Sequence, residues 1–426
     1  MTQNISGNEE TAMSKEIKKK KTLKEKFQDM GPAAIVTSAF IGPGTITTTT
    51  LAGVNYRYEL LWTILFSGLA LIILMEMSSR IGIISNHDIT EGAIASFSNN
   101  KVAKILITGI VIITLFATAF GLEAGNLIGG SLGLADALNI PQWAGALILG
   151  SAAFYAVVVG TAKTLENIMS IFVSTMGVIF VLTMLLVNPD YGEVLTGFVP
   201  TSIPEGSGVT IIALIGTTLI GINLLMQAVT AAEKWHTPED LEASKFDTSF
   251  NVGIGILITA AIIITSGTVL YGTGTEVDSP IVFSRMLEPV LGSYARIIGD
   301  VGIAAAGLSS AIATPLILKV VLARMFRWDA NDMRARAAGG ASVVVGTVFA
   351  ALGTSPTQII IFASAFSGLF LPIVAILIMI AANNKELLGD HKNNLTQNIL
   401  GGFATIITLG LGLNSLLSFF ENLSNL

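Results

Sequence analysis

Apolar residues run through this chain in long stretches separated by short polar connections, without the two-residue alternation of half-buried strands. Eleven such segments can be drawn, at 31–55, 60–83, 102–134, 141–160, 165–187, 209–231, 249–271, 296–323, 338–353, 357–381 and 397–419. Most meet the ~18 residues needed to cross the hydrocarbon core of a bilayer. Backbone groups in lipid must be satisfied within each crossing segment, which makes every span a helix. The pattern predicts an all-α integral membrane protein with eleven transmembrane helices.

Charge placement then orients the chain. Lys18 to Lys21 precede the first segment, and Arg80 and Lys101 flank the connection after the second. Lys163 follows the fourth, Lys234 and Lys245 the sixth, Arg324, Arg327, Arg334 and Arg336 the eighth, and Lys385 and Lys392 the tenth. The alternate connections are poor in cations, with Arg57, Arg285 and Arg296 as exceptions. Cations gather on the cytoplasmic side, so the N-terminus is expected inside and, after an odd number of spans, the C-terminus outside. Residues 1–30 read as a cytoplasmic basic tail, chiefly a topogenic signal with affinity for anionic lipid. They lack the apolar core of a cleavable signal peptide.

Two segments are interrupted. In "AFIGPGTITTTTLAG" (39–53) the apolar run breaks at Gly42-Pro43-Gly44 and resumes through five threonines in six positions. In "LIGTTLIGINLLMQ" (214–227) the sixth segment carries Gly216, Gly221 and Asn223. The interruptions lie five spans apart, an odd number, so segments 1–5 and 6–10 would run in opposite senses. Paired interruptions in two inverted halves point to a transporter's binding site at mid-membrane depth. The expected organisation is a first repeat over 31–187, a second over 206–381 and a last helix over 395–426.

Composition narrows the chemistry. Only 12% of the 426 residues are charged, against about 25% in soluble domains, and the mean hydropathy is +0.73. With no cysteine there is no disulfide, thiolate metal site or redox centre. His87, His236 and His391 are the whole histidine complement and fall in connections. No nucleotide loop, nucleophile triad or nucleic-acid patch is present, so neither an enzyme nor a nucleic-acid partner is expected, and no cofactor. The implied partners are the lipid bilayer and a small solute or ion, with the cell membrane as location.

Breaking segment 1 at Pro43 leaves free carbonyls near Phe40 to Gly42 and free amides near Gly44 to Ile46. The amides and the helix dipole favour an anion, the carbonyls a cation. Thr45 suits a helix N-cap and Pro43 a helix start. Gly42, Gly44, Thr45, Thr48, Thr49, Thr217, Ile220, Ile222, Asn223 and Gln227 form the expected substrate site. Thr218 could stand in for Thr217, while Thr47 and Thr50 are read as packing residues. Glu123, in "FGLEAGNLIGG", is acidic well inside a span, where charge is costly and by default functional. Asn126, one turn on, is its natural hydrogen-bond partner. Ser309 and Ser310 could face the carbonyls ending the first half-helix. Glu76, Glu166 and Asp247 sit at cytoplasmic span ends, where solvated or gating roles are usual.

The run from Gly31 to Glu91 resembles the NRAMP family of divalent-metal transporters. "GPAAIVTSAFIGPGT" is similar to that family's first helix, which carries a DPGN motif; "LAGVNYRYELLW", "MSSRIGI" and "NHDITEG" follow in order. Further on, "KTLENIMSIFV" resembles the start of its fifth helix and "AAGLSSAIATP" its eighth. The resemblance implies the LeuT-type 5+5 inverted repeat, with broken helices 1 and 6, and alternating access. It also implies acidic residues on the third helix for proton transfer.

The family's metal ligands do not carry over. Gly42 and Thr45 stand where DPGN has Asp and Asn, and Ile220-Gly221-Ile222-Asn223 stands where the sixth helix has MPHN. Gln227 replaces a second histidine, and Leu308 a glutamine on the eighth helix. Stripping an ion of water costs of order 20 kcal/mol for a single charge and grows as the square of the charge. A neutral site is therefore poor for bare Mn²⁺ or Fe²⁺, though it can hold hydrated Mg²⁺, which parts with water reluctantly. The expectation is a small anionic or zwitterionic solute, such as an amino acid or bicarbonate, coupled to H⁺ or Na⁺. Divalent cation transport, Mg²⁺ before Mn²⁺, is the alternative, and a non-transporting relative the third reading.

Overall fold

A computed structural model describes residues 31–424, apart from 99, 161, 280, 330–331 and 354–355. The basic tail at 1–30 and the side chains of Lys163 and Glu166 lie outside the described residues. Every apolar segment falls on a helix or on a pair of consecutive half-helices. In chain order these are α1 (Pro32–Phe40), α2 (Pro43–Tyr56), α3 (Leu61–Ser85), α4 (Ile89–Ser96), α5 (Lys101–Leu138), α6 (Gln142–Val159) and α7 (Ala162–Leu186). Then come α8 (Tyr191–Gly197), α9 (Gly208–Thr218), α10 (Gly221–Lys234), α11 (Leu241–Val269), α12 (Ala295–Phe326), α13 (Met333–Ala351), α14 (Pro356–Ala382) and α15 (Leu395–Ser424). Short helices α4 and α8 lie in connections. Among the described residues, seven helices are long and apolar enough by length and composition to cross a membrane, or eight if one bent pair counts as a single span.

The two interruptions share a geometry. The first lies between Phe40 and Pro43, with Ile41 at φ −87°, ψ 71° and Gly42 extended. The second lies between Thr218 and Gly221, with Leu219 at φ −88°, ψ 86° and Ile220 extended. Each break takes two residues out of helical geometry, and each second half, α2 and α10, has 14 residues. Both breaks are buried, so the exposed backbone polarity is enclosed by neighbouring helices rather than by lipid, as membrane-depth irregularity requires.

Long helices α5 and α12 form the scaffold around the first break and pack closely on each other. Small residues make this possible, since lipid gives helices little hydrophobic reason to associate and close van der Waals approach must do so instead. A Cβ placed on Gly307 of α12 would lie 2.3 Å from the Gly130 Cα of α5. One placed on Gly133 would lie 2.5 Å from the Asp300 carbonyl oxygen. Pro43, at the start of α2, seats against α5 in the same way, 2.2 Å from a Cβ at Gly129. Gly307→Val should therefore force α5 and α12 apart at a cost of about 1–3 kcal/mol. A thermal melt of the detergent-solubilised variant should show a midpoint several degrees below the parent, and an unchanged midpoint would mean the contact is looser than described.

Candidate substrate site

Pro43 occupies the first position of α2, so the residue before it, Gly42, becomes the N-cap. This corrects the expectation for Thr45, which is the third helical residue. Its hydroxyl instead reaches back across the break and donates to the Phe40 carbonyl, the last residue of α1. One of the carbonyls freed by the break is thereby satisfied from the other half-helix. The Gly42 carbonyl accepts from Ile46 N at 3.0 Å, closing the first turn of α2.

Several other hydroxyls behave alike, whereas those of Thr47 and Thr50 are buried without a partner. Thr48 Oγ1 donates to the Gly44 carbonyl at 2.9 Å, and Thr49 Oγ1 to the Thr45 carbonyl at 2.5 Å. In α9, Thr217 and Thr218 both donate to the Leu214 carbonyl, at 2.9 and 3.2 Å. Ser310 Oγ of α12 donates to the Ser38 carbonyl of α1 at 3.2 Å. A hydroxyl has one proton and two lone pairs. Once that proton is used on a carbonyl, what the group offers a ligand is an acceptor. Ile220 and Ile222 are buried beside these groups. Asn223 is 1% exposed, and neither its Oδ1 nor its Nδ2 meets a hydrogen-bonding partner. The same holds for Ser309 Oγ and for both carboxyl oxygens of the fully buried Glu123. A buried polar atom without a protein partner keeps hydrogen-bonding capacity that a ligand can use.

The family profile described as Nramp, natural resistance-associated macrophage protein-like, matches residues 33–418. This chain belongs to the Nramp family. It is 25% identical over 422 residues to the divalent metal cation transporter MntH of Staphylococcus saprophyticus, covering 93% of both chains. It is likewise 25% identical to metal transporter Nramp5 of rice, Oryza sativa subsp. japonica, covering 92% of this chain and 75% of that one. Its fold matches a crystal structure of the Eremococcus coleocola manganese transporter with a TM-score of 0.78 at 17% identity, over 93% of this chain and 88% of that one. The chain is thus a multi-pass membrane transporter by family.

Against that family background, the first break has its own construction. A Cβ at Gly42 would fall 2.6 Å from Ser310 Oγ and 3.2 Å from Asn126 Oδ1. Among the described residues, no group of three or more His, Asp or Glu side chains could hold a metal ion. Oxygen atoms are nonetheless concentrated here, and they come from α5 and α12. Asn126 Nδ2 donates to Thr314 Oγ1 of α12 at 3.3 Å, which turns its Oδ1 toward the break. The Glu123 carboxyl lies beside Asn126.

Two further residues make bonds that sequence spacing did not show. Gln227 Nε2 donates to Ser79 Oγ of α3 at 2.8 Å and to Thr248 Oγ1 of α11 at 3.5 Å, tying three helices together below the second break. Asp247, 1% exposed, accepts from Gly31 N and Ala33 N at 3.0 Å each and from Asn251 Nδ2 at 2.9 Å. A buried carboxylate at the start of α1 meets its unpaired amides and the positive end of its dipole. It fastens the shorter half of the broken helix to α11. Nothing in the local sequence of α11 advertises this, because the amides belong to a segment more than 200 residues away.

Because the chain has no cysteine, this anchor can be tested by single-site labelling. Asp247→Ala removes the cap, at a cost of about 1–2 kcal/mol, and should release α1. A cysteine introduced as Ala33→Cys should then react several-fold faster with a soluble thiol reagent than in the Asp247 background. Equal rates would show that α1 is held by packing alone.

Proposed function

We propose that this protein is a secondary transporter carrying a divalent cation, with part of its water shell retained, through a site between its two broken helices. The observation that carries this reading is the direction of the hydroxyl protons. Thr45, Thr48, Thr49, Thr217, Thr218 and Ser310 all donate to backbone carbonyls. An anion or a substrate carboxylate needs donors, whereas these groups present lone pairs. Pro43 removes one amide from the start of α2 as well. Acceptor oxygens without a full carboxylate set suit a cation that keeps some of its water, and Mg²⁺ is the divalent ion that does so most readily.

Relatives described as divalent metal cation and manganese transporters support the same choice. The anion or zwitterion expected from the missing ligand letters gives way to it, because letter loss alone does not reveal which way hydroxyls point. The matching geometry of the two breaks supports a 5+5 inverted repeat over 31–187 and 206–381, with a final helix over 395–426 and eleven spans in all. The cation-rich connections support a cytoplasmic N-terminus and an external C-terminus in the cell membrane. Glu123 is the proposed coupling group, handing protons along α5, with Ser309 and Ser310 facing the carbonyls of α1. Transport by such rearrangement requires no covalent chemistry and no cofactor.

Proteoliposomes containing the purified protein and a trapped Mg²⁺-sensitive dye should show uptake that saturates with external Mg²⁺. Labelled amino acids, small carboxylates and bicarbonate should not be taken up. Uptake of a carboxylate with no response to either Mg²⁺ or Mn²⁺ would overturn the proposal. Glu123→Gln, nearly isosteric and unable to release a proton, should cut proton-driven uptake by at least tenfold while leaving downhill Mg²⁺ exchange. If an imposed pH gradient drives the variant and the parent equally, Glu123 is not the coupling group.

A further inference from the structure

The cation-transport reading leaves open which atoms replace the family's carboxylate at position 42, and the flank of the first break supplies an answer. We infer that the substrate cation is held there by Asn126 Oδ1 of α5 and Ser310 Oγ of α12, the two oxygens that converge beside Gly42. This inference rests on the cargo being a divalent cation. Asn126 and Ser310 approach the missing Cβ of Gly42 to 3.2 and 2.6 Å. Both are buried, at 7% and 0% exposure. Each has its donor engaged elsewhere, Asn126 with Thr314 and Ser310 with the Ser38 carbonyl, so each turns acceptor capacity toward the break.

Further polar atoms on the neighbouring helices are unpartnered. Helix α10 packs on both α1 and α5, and its Asn223 brings an amide that meets no protein group. Ser309 Oγ, next to Ser310, is also buried without a partner. The carboxyl of Glu123 sits one turn before Asn126 on the same helix. Neutral first contacts suit an ion that remains partly hydrated. A residue-42 carboxylate would instead displace water and contact the ion directly. The glycine at 42 is then a requirement of this arrangement, since any side chain there collides with Ser310.

The test compares Mg²⁺ and Mn²⁺ uptake by the full-length protein in proteoliposomes for the parent, Asn126→Ala and Asn126→Asp. With the alanine variant, the apparent KM for Mg²⁺ should rise at least tenfold with a smaller change in maximal rate. Asn126→Asp keeps the shape, and the Thr314 hydroxyl can rotate to donate to it. Adding a carboxylate at the ion should shift preference toward Mn²⁺ by tenfold or more. Should the alanine variant fail to fold, the ratio of the two ions in the aspartate variant decides the matter. Unchanged KM in the alanine variant, or an unchanged ion ratio in the aspartate variant, overturns this assignment while leaving the cargo reading intact. Failure of the parent to carry either ion overturns both.

Discussion

A helix opened in the middle of an apolar medium exposes carbonyls at one cut end and amides at the other, and each unsatisfied group costs several kcal/mol in hydrocarbon. Every notable feature around the first break answers that requirement. Thr45 reaches across the gap to the Phe40 carbonyl, Ser310 comes from α12 to the Ser38 carbonyl, and Asp247 receives the amides at the far end of α1. The polar residues are thus committed first to keeping a broken helix intact. Binding chemistry is what remains after these obligations are met, and what remains is mostly oxygen lone pairs.

The same obligations explain why α5 and α12 lie so close. A break can be enclosed only if neighbours come near enough to bring side chains to it, and Gly130 and Gly307 let the two backbones approach to van der Waals contact. Asn126 and Ser310 stand on these two helices within a turn or so of the glycines. Packing and site are parts of one arrangement, so a small residue far from any ligand sets how far a distant oxygen can reach.

Much of this was legible in the chain. Helical segments, most of their boundaries and both interruptions follow from apolar run length and from glycine and proline, because the bilayer leaves a segment few alternatives; the helix expected from 249 starts eight residues earlier, at Leu241, in a polar stretch. The family could be named from "GPAAIVTSAFIGPGT" and the motifs after it. Individual hydrogen bonds were not legible. A threonine in a helix reads the same whether its proton goes to its own backbone or to a ligand, so the sequence placed Thr48 and Thr49 in the substrate site without showing where their protons go. Thr45 was misread as a cap because the rigid ring of Pro43 fixes the helix start two residues earlier. The partnership of Asp247 with Gly31 and Ala33 joins positions more than 200 residues apart, and no local pattern encodes a contact of that span.

The 2.6 Å between Ser310 Oγ and the absent Cβ of Gly42 also bears on how this site could change over time. A carboxylate at residue 42 would have to turn the Ser310 hydroxyl aside, because its Oγ stands against that space. Removing the serine first would strip the Ser38 carbonyl of its donor before any new ligand had arrived. A charged residue 42 is therefore linked to the bond by which Ser310 holds the end of α1. The charge of the site and the seating of the first half-helix are in this way one choice rather than two.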